Sequence, residues 1–155
     1  MPIVLAGEPF TAQEGAYFDE HVRPFLNGTD VTWIGGANHQ QKAELLRNAA
    51  ALVFPIQWDE PFGLVMIEAM ACGVPVICTH NTGGADLITD GQDGFVTPIR
   101  DVAALKQLLE LGLADRARFY EIGQAARKVA EGLTWARYRA GFAAAYQALL
   151  EEAQL

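Results

Sequence analysis

Residues 51–79, ALVFPIQWDEPFGLVMIEAMACGVPVICT, decide the fold class of this chain. Two short apolar runs, residues 51–55 and 74–79, stand on either side of a helical pattern over residues 61–72. Both runs contain β-branched residues and end at Pro or Thr, which predicts two buried strands. A buried strand, a helix and a second buried strand in this order are typical of a parallel sheet covered on both faces.

The same alternation continues on both sides of this stretch. Helices are predicted over residues 11–26, 39–50 and 101–111, with a short one near 84–89, and further strands at residues 2–7, 31–35 and 94–98. The sequence therefore predicts an α/β fold, a Rossmann-like open parallel sheet with helices on both faces. Residues 1–111 would form this core, and residues 112–155 would be a C-terminal helical extension of the same domain.

Two Ala-rich helical patterns, residues 115–130 and 134–152, follow the core without a strand between them. Thr134 is predicted to be the N-cap of the second. Spacings of three and four residues place its large apolar side chains on one face, formed by Trp135, Tyr138, Phe142, Ala145, Tyr146 and Leu149. Two interpretations of this face are open. It packs on the other helices of the sheet, or part of it covers a second domain.

The composition is that of a globular domain with an acidic balance. The chain has 155 residues and a formal net charge of −8, which argues against nucleic acid or an anionic membrane as a partner. Cys72 and Cys78 lie in apolar segments and are predicted to be buried thiols of a reducing compartment. No Cys/His cluster has zinc-ligand spacing, and neither a signal peptide nor a membrane-spanning apolar run is visible. We therefore expect a cytoplasmic protein.

Two carboxylates stand out against the apolar helical pattern of residues 61–72. Glu68 lies in its middle and Glu60 lies at its mouth. Helices that are apolar nearly all round are buried, and a Glu is almost never fully buried without a partner. Glu68 is therefore expected to face something polar. A ligand in a cleft is one explanation, and a structural pairing with an Arg or a backbone amide is the other.

The amino end of this helix is predicted to bind an anion. Open α/β sheets bind ligands at the carboxyl ends of their strands, where residues 56–60 lie. Pro61 suits a first helical turn, and Gly63 lets a ligand approach the backbone closely. Open amides at a helix amino end suit a diphosphate. Because carboxylates repel phosphate, Glu60 and Glu68 suit hydroxyl groups on either side of it, as in a nucleoside diphosphate sugar.

Residues 60–77, EPFGLVMIEAMACGVPVI, resemble the donor-binding signature of the retaining glycosyltransferases of family 4, which have the GT-B fold. The hallmark is two Glu separated by seven residues, matched by Glu60 and Glu68, and then a Gly-x-Pro-Val turn, matched by residues 73–76. The resemblance covers roughly residues 2–111 and includes Trp33-Ile34-Gly35, residues 42–46, Gly83-Gly84, Asp86, Gly91 and Gly94-Phe95.

The resemblance implies a role for each matching position. Glu60, the catalytic candidate, would hold hydroxyls of the donor sugar, while Glu68 would bind the ribose. Ala37, after the strand end at Gly35, would contact the nucleobase through its backbone, with Lys42 beside that base. The sugar and diphosphate would meet the backbone amides of Phe62, Gly63, Leu64 and Val65. The resemblance further implies no metal and no cofactor, because a helix end and cations stabilise the leaving diphosphate.

The enzyme implied by the resemblance is bacterial. It would transfer a sugar from a nucleoside diphosphate to an acceptor hydroxyl with retention, in the synthesis of a polysaccharide, a glycolipid or a glycosylated metabolite. An alternative of a different class is a non-catalytic nucleotide-sugar-binding module, or a subunit that needs a separate partner half. A GT-B epimerase is a weaker third interpretation, because its own binding motifs are not evident.

The chain departs from the family pattern at its start. Relatives carry an Arg and a Lys in a first strand and the following loop, whereas residues 2–7 resemble the second strand. The acceptor-binding domain has no counterpart either, so the chain is expected to be a truncated half that is inactive alone. Without a central first strand, the second and fourth strands would pair directly, or a rearrangement, a strand swap or a homo-oligomer would fill the gap.

Three further side chains carry two interpretations each, Trp58, His39 and His80. Trp58 would stack on a sugar or pack the loop. His39 would contact the nucleotide or be a solvated residue at a helix start. His80, at the ligand edge of the sheet, would contact a sugar or phosphate or have no ligand contact. Asp59 is predicted to be a helix N-cap. His21 and Asp86 receive no ligand role.

Overall fold

The computed structural model describes residues 2–153. These residues form five strands, β1 Ile3–Leu5, β2 Val31–Trp33, β3 Leu52–Phe54, β4 Val76–Thr79 and β5 Phe95–Thr97. They form six α-helices, α1 Ala12–His21, α2 His39–Asn48, α3 Leu64–Ala71, α4 Val102–Ala114, α5 Arg116–Glu131 and α6 Trp135–Ala153. Two short 3₁₀ helices are Arg23–Phe25 and Gly83–Leu87. The five predicted strands and the α/β class are confirmed.

The chain divides into two compact units, residues 1–45 and 46–155. In the first unit β1 and β2 run parallel, with Ile3 opposite Val31. The side chains of Ile3 and Val4 are about half exposed. The prediction of a buried strand is therefore wrong for β1, because a sheet of two described strands gives its faces little cover. Strands β2 and β3 contain no buried residue either, so the same prediction is wrong for them. The predicted boundary between residues 111 and 112 falls inside α4.

Local signals set both ends of α1. The Thr11 hydroxyl accepts a hydrogen bond from the Glu14 amide, and the Glu14 carboxylate accepts one from the Thr11 amide, which makes a capping box. The helix ends at His21 instead of residue 26 as predicted. The reason is Pro24, which has no N–H for an α-helix interior and lies in the 3₁₀ helix that follows.

The second unit contains a parallel sheet in the order β3-β4-β5. Phe54 lies opposite Cys78, which in turn lies opposite Val96. All four residues of β4 are buried, as expected for a central strand covered on both faces. Val76 and Cys78 of β4 belong to one core cluster, together with Leu46, Met66, Ala69, Met70, Val74, Ala85, Ala126 and Ala130. Ile77, on the other face, packs with Phe95, Phe119 and Ile122.

Each unit contains one sheet, β1-β2 in the first and β3-β4-β5 in the second. Direct pairing between the second and fourth strands of the family pattern would join β1 to β3. Because these two strands lie in different units, that alternative stays a prediction. Filling of the gap by another segment or another chain stays a prediction.

A close backbone contact holds α5 against the carboxyl end of α3. A Cβ atom on Gly123 of α5 would lie 2.1 Å from the carbonyl oxygen of Gly73, two residues after α3. No side chain larger than hydrogen fits in this space without moving the helix. Gly73 has a φ of +74°, which favours glycine there as well. This contact fixes the orientation of α3 over the sheet.

Helix α6 begins as predicted, because the Thr134 hydroxyl accepts a hydrogen bond from the Arg137 amide at 3.2 Å. Its apolar face, however, is exposed, with Trp135 at 75% and Phe142 at 64%. No residue of α6 is buried in the part of the chain that the structure describes. Packing of this face on the helices of the sheet is therefore wrong, because α3 and α5 already close that core. Cover by a second domain stays a prediction.

Both cysteines are free thiols, Cys78 fully buried and Cys72 half-buried. Both were predicted to be buried, which is confirmed for Cys78 and wrong for Cys72. None of the helices in the described range is long and apolar enough to cross a membrane. Among residues 2–153, no three His, Cys, Asp or Glu side chains gather as a metal site would require.

Candidate functional site

The amino end of α3 is built on a left-handed glycine. Gly63 is the N-cap, with φ 77° and ψ 66°. A Cβ there would lie 3.1–3.2 Å from Met66, Phe54 and Thr82, so space and backbone both require glycine. The helix thus begins at Leu64. Two predictions are therefore wrong. Asp59 is not the N-cap, and Pro61 precedes the helix instead of lying in its first turn. The reason is that the chain turns through Gly63 before the helix begins.

Both oxygens of the Glu60 carboxylate are engaged. Oε1 accepts a hydrogen bond from the Gly63 amide at 3.1 Å. Oε2 accepts one from the indole Nε1 of Trp58 at 3.2 Å. Glu60 therefore lies at the helix end, as predicted, and satisfies the Gly63 amide, which was expected to face the cleft. The contact with Trp58 was not predicted, since neither stacking on a sugar nor loop packing implies it.

The first turn of α3 contains backbone amides that can bind a partner from outside the helix. The amides at the first positions of an α-helix have no intrahelical acceptor. Gly63 has no side chain that could cap them, and Leu64 is 70% exposed. Phe62, just before the cap, is 40% exposed. The Leu64 and Val65 amides are therefore the groups through which this helix end can bind an anion.

Glu68 shares a face of α3 with Leu64. Residues four apart lie on the same side of a helix, and Leu64 and Ala71 on that side are exposed. The opposite side carries the buried Met66, Ala69 and Met70. The helix is thus not buried all round as expected, because one side faces away from the core. Glu68 is half-buried on that side, one turn from the exposed amino end.

The loop after β4 packs against the loop that carries Glu60. The Gly83 amide donates to the Glu60 carbonyl at 2.8 Å. A Cβ on Gly83 would lie 2.1 Å from the Pro61 carbonyl oxygen, and one on Gly84 would lie 2.3 Å from that of Phe62. Paired glycines let the two backbones touch. Sequence reasoning noted this pair by resemblance alone and gave it no physical role.

The other predicted site residues lie in the first unit, residues 1–45. Gly35 follows β2 with a φ of +66°, Ala37 is half-buried in the next loop, and Lys42 lies in α2. The Gly36 amide donates to Glu8 Oε1 at 3.2 Å, a contact that sequence reasoning missed. The ligand roles of Gly35, Ala37 and Lys42 stay predictions.

An open cavity of about 330 Å³ also lies in the first unit, where β1 and β2 end. Its walls include Gly7, Glu8, Phe18 and Trp33. The Trp33 indole donates to the Gly7 carbonyl at 2.8 Å, and the Phe18 ring packs on the indole at 4.7 Å. The cavity therefore has fixed aromatic walls at the strand ends, the edge at which open α/β sheets bind ligands.

The remaining candidates are exposed. His39 begins α2, and His80 follows β4, where its amide donates to the Thr97 carbonyl at 3.1 Å. His21 ends α1, and its ring lies 4.6 Å from that of Tyr17 at an interplanar angle of 55°. Asp86 is exposed in the 3₁₀ helix Gly83–Leu87. A nucleotide contact by His39 and a sugar or phosphate contact by His80 stay predictions.

The sequence of this chain resembles those of known proteins. The model of the family described as glycosyl transferases group 1 matches residues 2–129. A D-inositol 3-phosphate glycosyltransferase of Arthrobacter sp. (strain FB24) is 34% identical over 122 residues, covering 79% of this chain and 29% of that protein. This chain thus spans less than a third of the length of that relative.

Solved structures share the fold. Sucrose-phosphate synthase from Thermosynechococcus elongatus superposes with a TM-score of 0.78 at 30% identity, covering 96% of this chain and 38% of the other. Anabaena HepE in complex with UDP-glucose gives a TM-score of 0.75 at 22% identity, covering 84% of this chain and 36% of the other. The fold resembles the C-terminal domains of GT-B glycosyltransferases. The chain belongs to the glycosyl transferases group 1 family.

Proposed function

We propose that this chain binds a nucleoside diphosphate sugar at the amino end of α3 and acts as the donor-binding domain of a family 4 glycosyltransferase. The enzyme would transfer the sugar to an acceptor hydroxyl with retention at the anomeric carbon. We place the reaction in the cytoplasm of a bacterium, in the synthesis of a polysaccharide, a glycolipid or a glycosylated metabolite.

One observation carries the proposal, the arrangement of Glu60 beside the exposed first turn of α3. The Leu64 and Val65 amides lie next to a carboxylate that already bonds the Gly63 amide at 3.1 Å. Helix amides attract phosphate, while a carboxylate accepts hydrogen bonds from hydroxyls and repels phosphate. A ligand that carries a diphosphate joined to a polyhydroxylated group satisfies both demands, and a nucleoside diphosphate sugar is such a ligand.

The remaining roles follow from the family resemblance. Glu68, one turn further along the same face of α3, would accept hydrogen bonds from the ribose. Ala37 and Lys42, after Gly35, would contact the nucleobase. The helix amides would stabilise the charge that develops on the leaving diphosphate, since dipoles fixed in advance need no reorganisation during the reaction. We assign this stabilisation to the amides and to cations and propose no role for a metal.

Titration calorimetry with UDP, ADP and GDP, and with the glucose conjugate of each, tests the proposal. Glu60→Ala should abolish the gain in affinity that the sugar provides. Glu68→Ala should also lower the affinity for the bare nucleotide, by about 10- to 100-fold, because a hydrogen bond to a charged group is lost. Glu121→Ala removes an exposed carboxylate from α5 and is the matched control, for which we expect no change.

Two results would contradict the proposal. No heat of binding for any of the six compounds at millimolar concentration would rule out a competent donor site in this chain. Unchanged nucleotide affinity in Glu68→Ala would show that the ribose assignment is wrong while leaving the sugar assignment of Glu60 standing.

A further inference from the structure

The loop from Ile56 to Glu60 is fixed at three alternate residues by the last residue of β4 and the segment that follows it. The buried Thr79 hydroxyl donates to the Ile56 carbonyl at 2.8 Å. Two residues on, the side-chain amide of Asn81 donates to the Trp58 carbonyl. Two residues further, the Gly83 amide donates to the Glu60 carbonyl at 2.8 Å. The carbonyl groups of residues 56, 58 and 60 thus each accept one hydrogen bond from residues 79–83, which hold the loop backbone in place.

This backbone holds the Trp58 side chain within hydrogen-bond distance of Glu60. Trp58 lies at a bend of the loop, two residues before Glu60. The indole N–H then donates to Glu60 Oε2 at 3.2 Å. The indole is 61% exposed, so it adds little to the core. Its hydrogen bond to the carboxylate is the specific contact that this large side chain makes.

We infer that Trp58 is a positioning residue for Glu60, a role that rests on the proposed function. A carboxylate offers about four lone-pair sites, of which the Trp58 indole and the Gly63 amide occupy two. Those two donors fix the plane of the carboxylate, and the lone pairs left over point where sugar hydroxyls would donate. Without the indole, Glu60 keeps its charge and loses its fixed orientation.

The test compares Trp58→Phe, which keeps an aromatic ring and removes the N–H, with the unaltered chain. The measured quantity is the ratio of affinities for UDP-glucose and UDP, with the ADP and GDP pairs as alternatives. We expect Trp58→Phe to lower this ratio by about three- to tenfold, a net loss typical of one hydrogen bond, with the affinity for the bare nucleotide unchanged. Trp135→Phe makes the same chemical change on α6 and should leave the ratio as it is.

A second readout needs no ligand. The chain has three Trp, and the two Phe variants assign the indole N–H resonances of Trp58 and Trp135 by their disappearance. Glu60→Ala removes the acceptor and should shift the Trp58 resonance while leaving that of Trp33, which donates to the Gly7 carbonyl, in place. If Trp58 served only to fold the loop, Trp58→Phe would lower the affinities for UDP and UDP-glucose equally.

The outcomes separate this inference from the proposed function. Three results would overturn the positioning role alone. They are an unchanged affinity ratio in Trp58→Phe, an equal loss of affinity for both ligands, and a Trp58 resonance that does not shift in Glu60→Ala. Absence of nucleotide binding by the unaltered chain would overturn the proposed function, and the positioning role with it.

Discussion

Replacement of Gly83 by Ala tests whether the two loops at the amino end of α3 need backbone contact. Gly83 does not have a positive φ, so alanine can adopt its backbone conformation without strain. The added Cβ would lie 2.1 Å from the Pro61 carbonyl oxygen and 2.9 Å from its carbon. Any effect of the substitution therefore comes from steric overlap with rigid backbone, and no flexible side chain can move aside.

The structure sets the size of the effect. Ordinary contact begins near 3.4 Å, so the loops must separate by more than 1 Å. Overpacking of this kind costs about 1–3 kcal/mol. The separation also breaks the 2.8 Å hydrogen bond from the Gly83 amide to the Glu60 carbonyl, which adds about 1 kcal/mol. We expect a loss of about 2–4 kcal/mol in the free energy of unfolding, or roughly 5–15 °C in Tm for a protein of this size.

Urea and thermal unfolding followed by circular dichroism measure this loss. Gly141→Ala is the matched control, because a Cβ on Gly141 in α6 meets nothing within 4 Å. Alanine is also the better helix former, so this variant should be as stable as the unaltered chain or slightly more stable. A Gly83→Ala variant whose Tm lies within about 1 °C of the control would refute the steric reasoning.

Two further predictions concern the core. Burial, reinforced by Asp90, raises the pKa of the Cys78 thiol to about 11 from 9.0, so its contribution to stability is complete below about pH 9 and is lost as the pH rises toward 11. The free energy of unfolding, measured with urea at about pH 7 and about pH 10.5, should thus fall less with pH in Cys78→Ala than in the unaltered chain. An equal fall in both would contradict this. Phe119→Ala should cost about 3–5 kcal/mol, since Phe119 is buried, whereas Phe142→Ala on the exposed face of α6 should cost less than about 0.5 kcal/mol. Similar losses in the two variants would show that α6 is packed in solution.

The elements of the fold could be predicted because their signals are local. Apolar runs such as residues 74–79 mark a strand regardless of what lies around it, and β4 occupies Val76–Thr79 with every residue buried. Thr134 marks the start of α6 in the same way, through a hydrogen bond three residues away. Periodicity and capping act over a single turn or a few residues, so sequence alone contains them.

What covers an apolar face could not be predicted. The sequence of β1 resembles that of the other strands, yet Ile3 and Val4 are about half exposed. The face of α6 that begins at Trp135 has ideal helical spacing and is exposed as well. An apolar pattern says which side of an element avoids water, but the partner for that side lies far away in the sequence or in another chain.

The detail of the candidate site depends on loop torsions that no pattern encodes. The positions of Glu60 at the mouth of the helix and Glu68 within it were predicted, whereas Gly63 was expected only to let a ligand approach the backbone. The left-handed conformation of Gly63 moves the helix start from Pro61 to Leu64 and brings its amide onto Glu60. The Trp58 hydrogen bond depends in turn on contacts from residues 79–83, more than twenty positions away. The ligand roles themselves stay predictions.

Buried side chains are unevenly distributed along the chain, so the free energy of local opening differs between segments. Every buried residue among residues 2–153 lies at Leu46 or beyond it, and residues 2–45 contain none. The free energy of opening a segment rises with the apolar surface it buries, so the β1–β2 pair opens at lower cost than β4 does. Native-state fluctuations would therefore concentrate in the unit that carries Ala37. If Ala37 contacts the nucleobase as proposed, binding would restrict those fluctuations, and the affinity for the nucleotide would include the entropy lost in doing so.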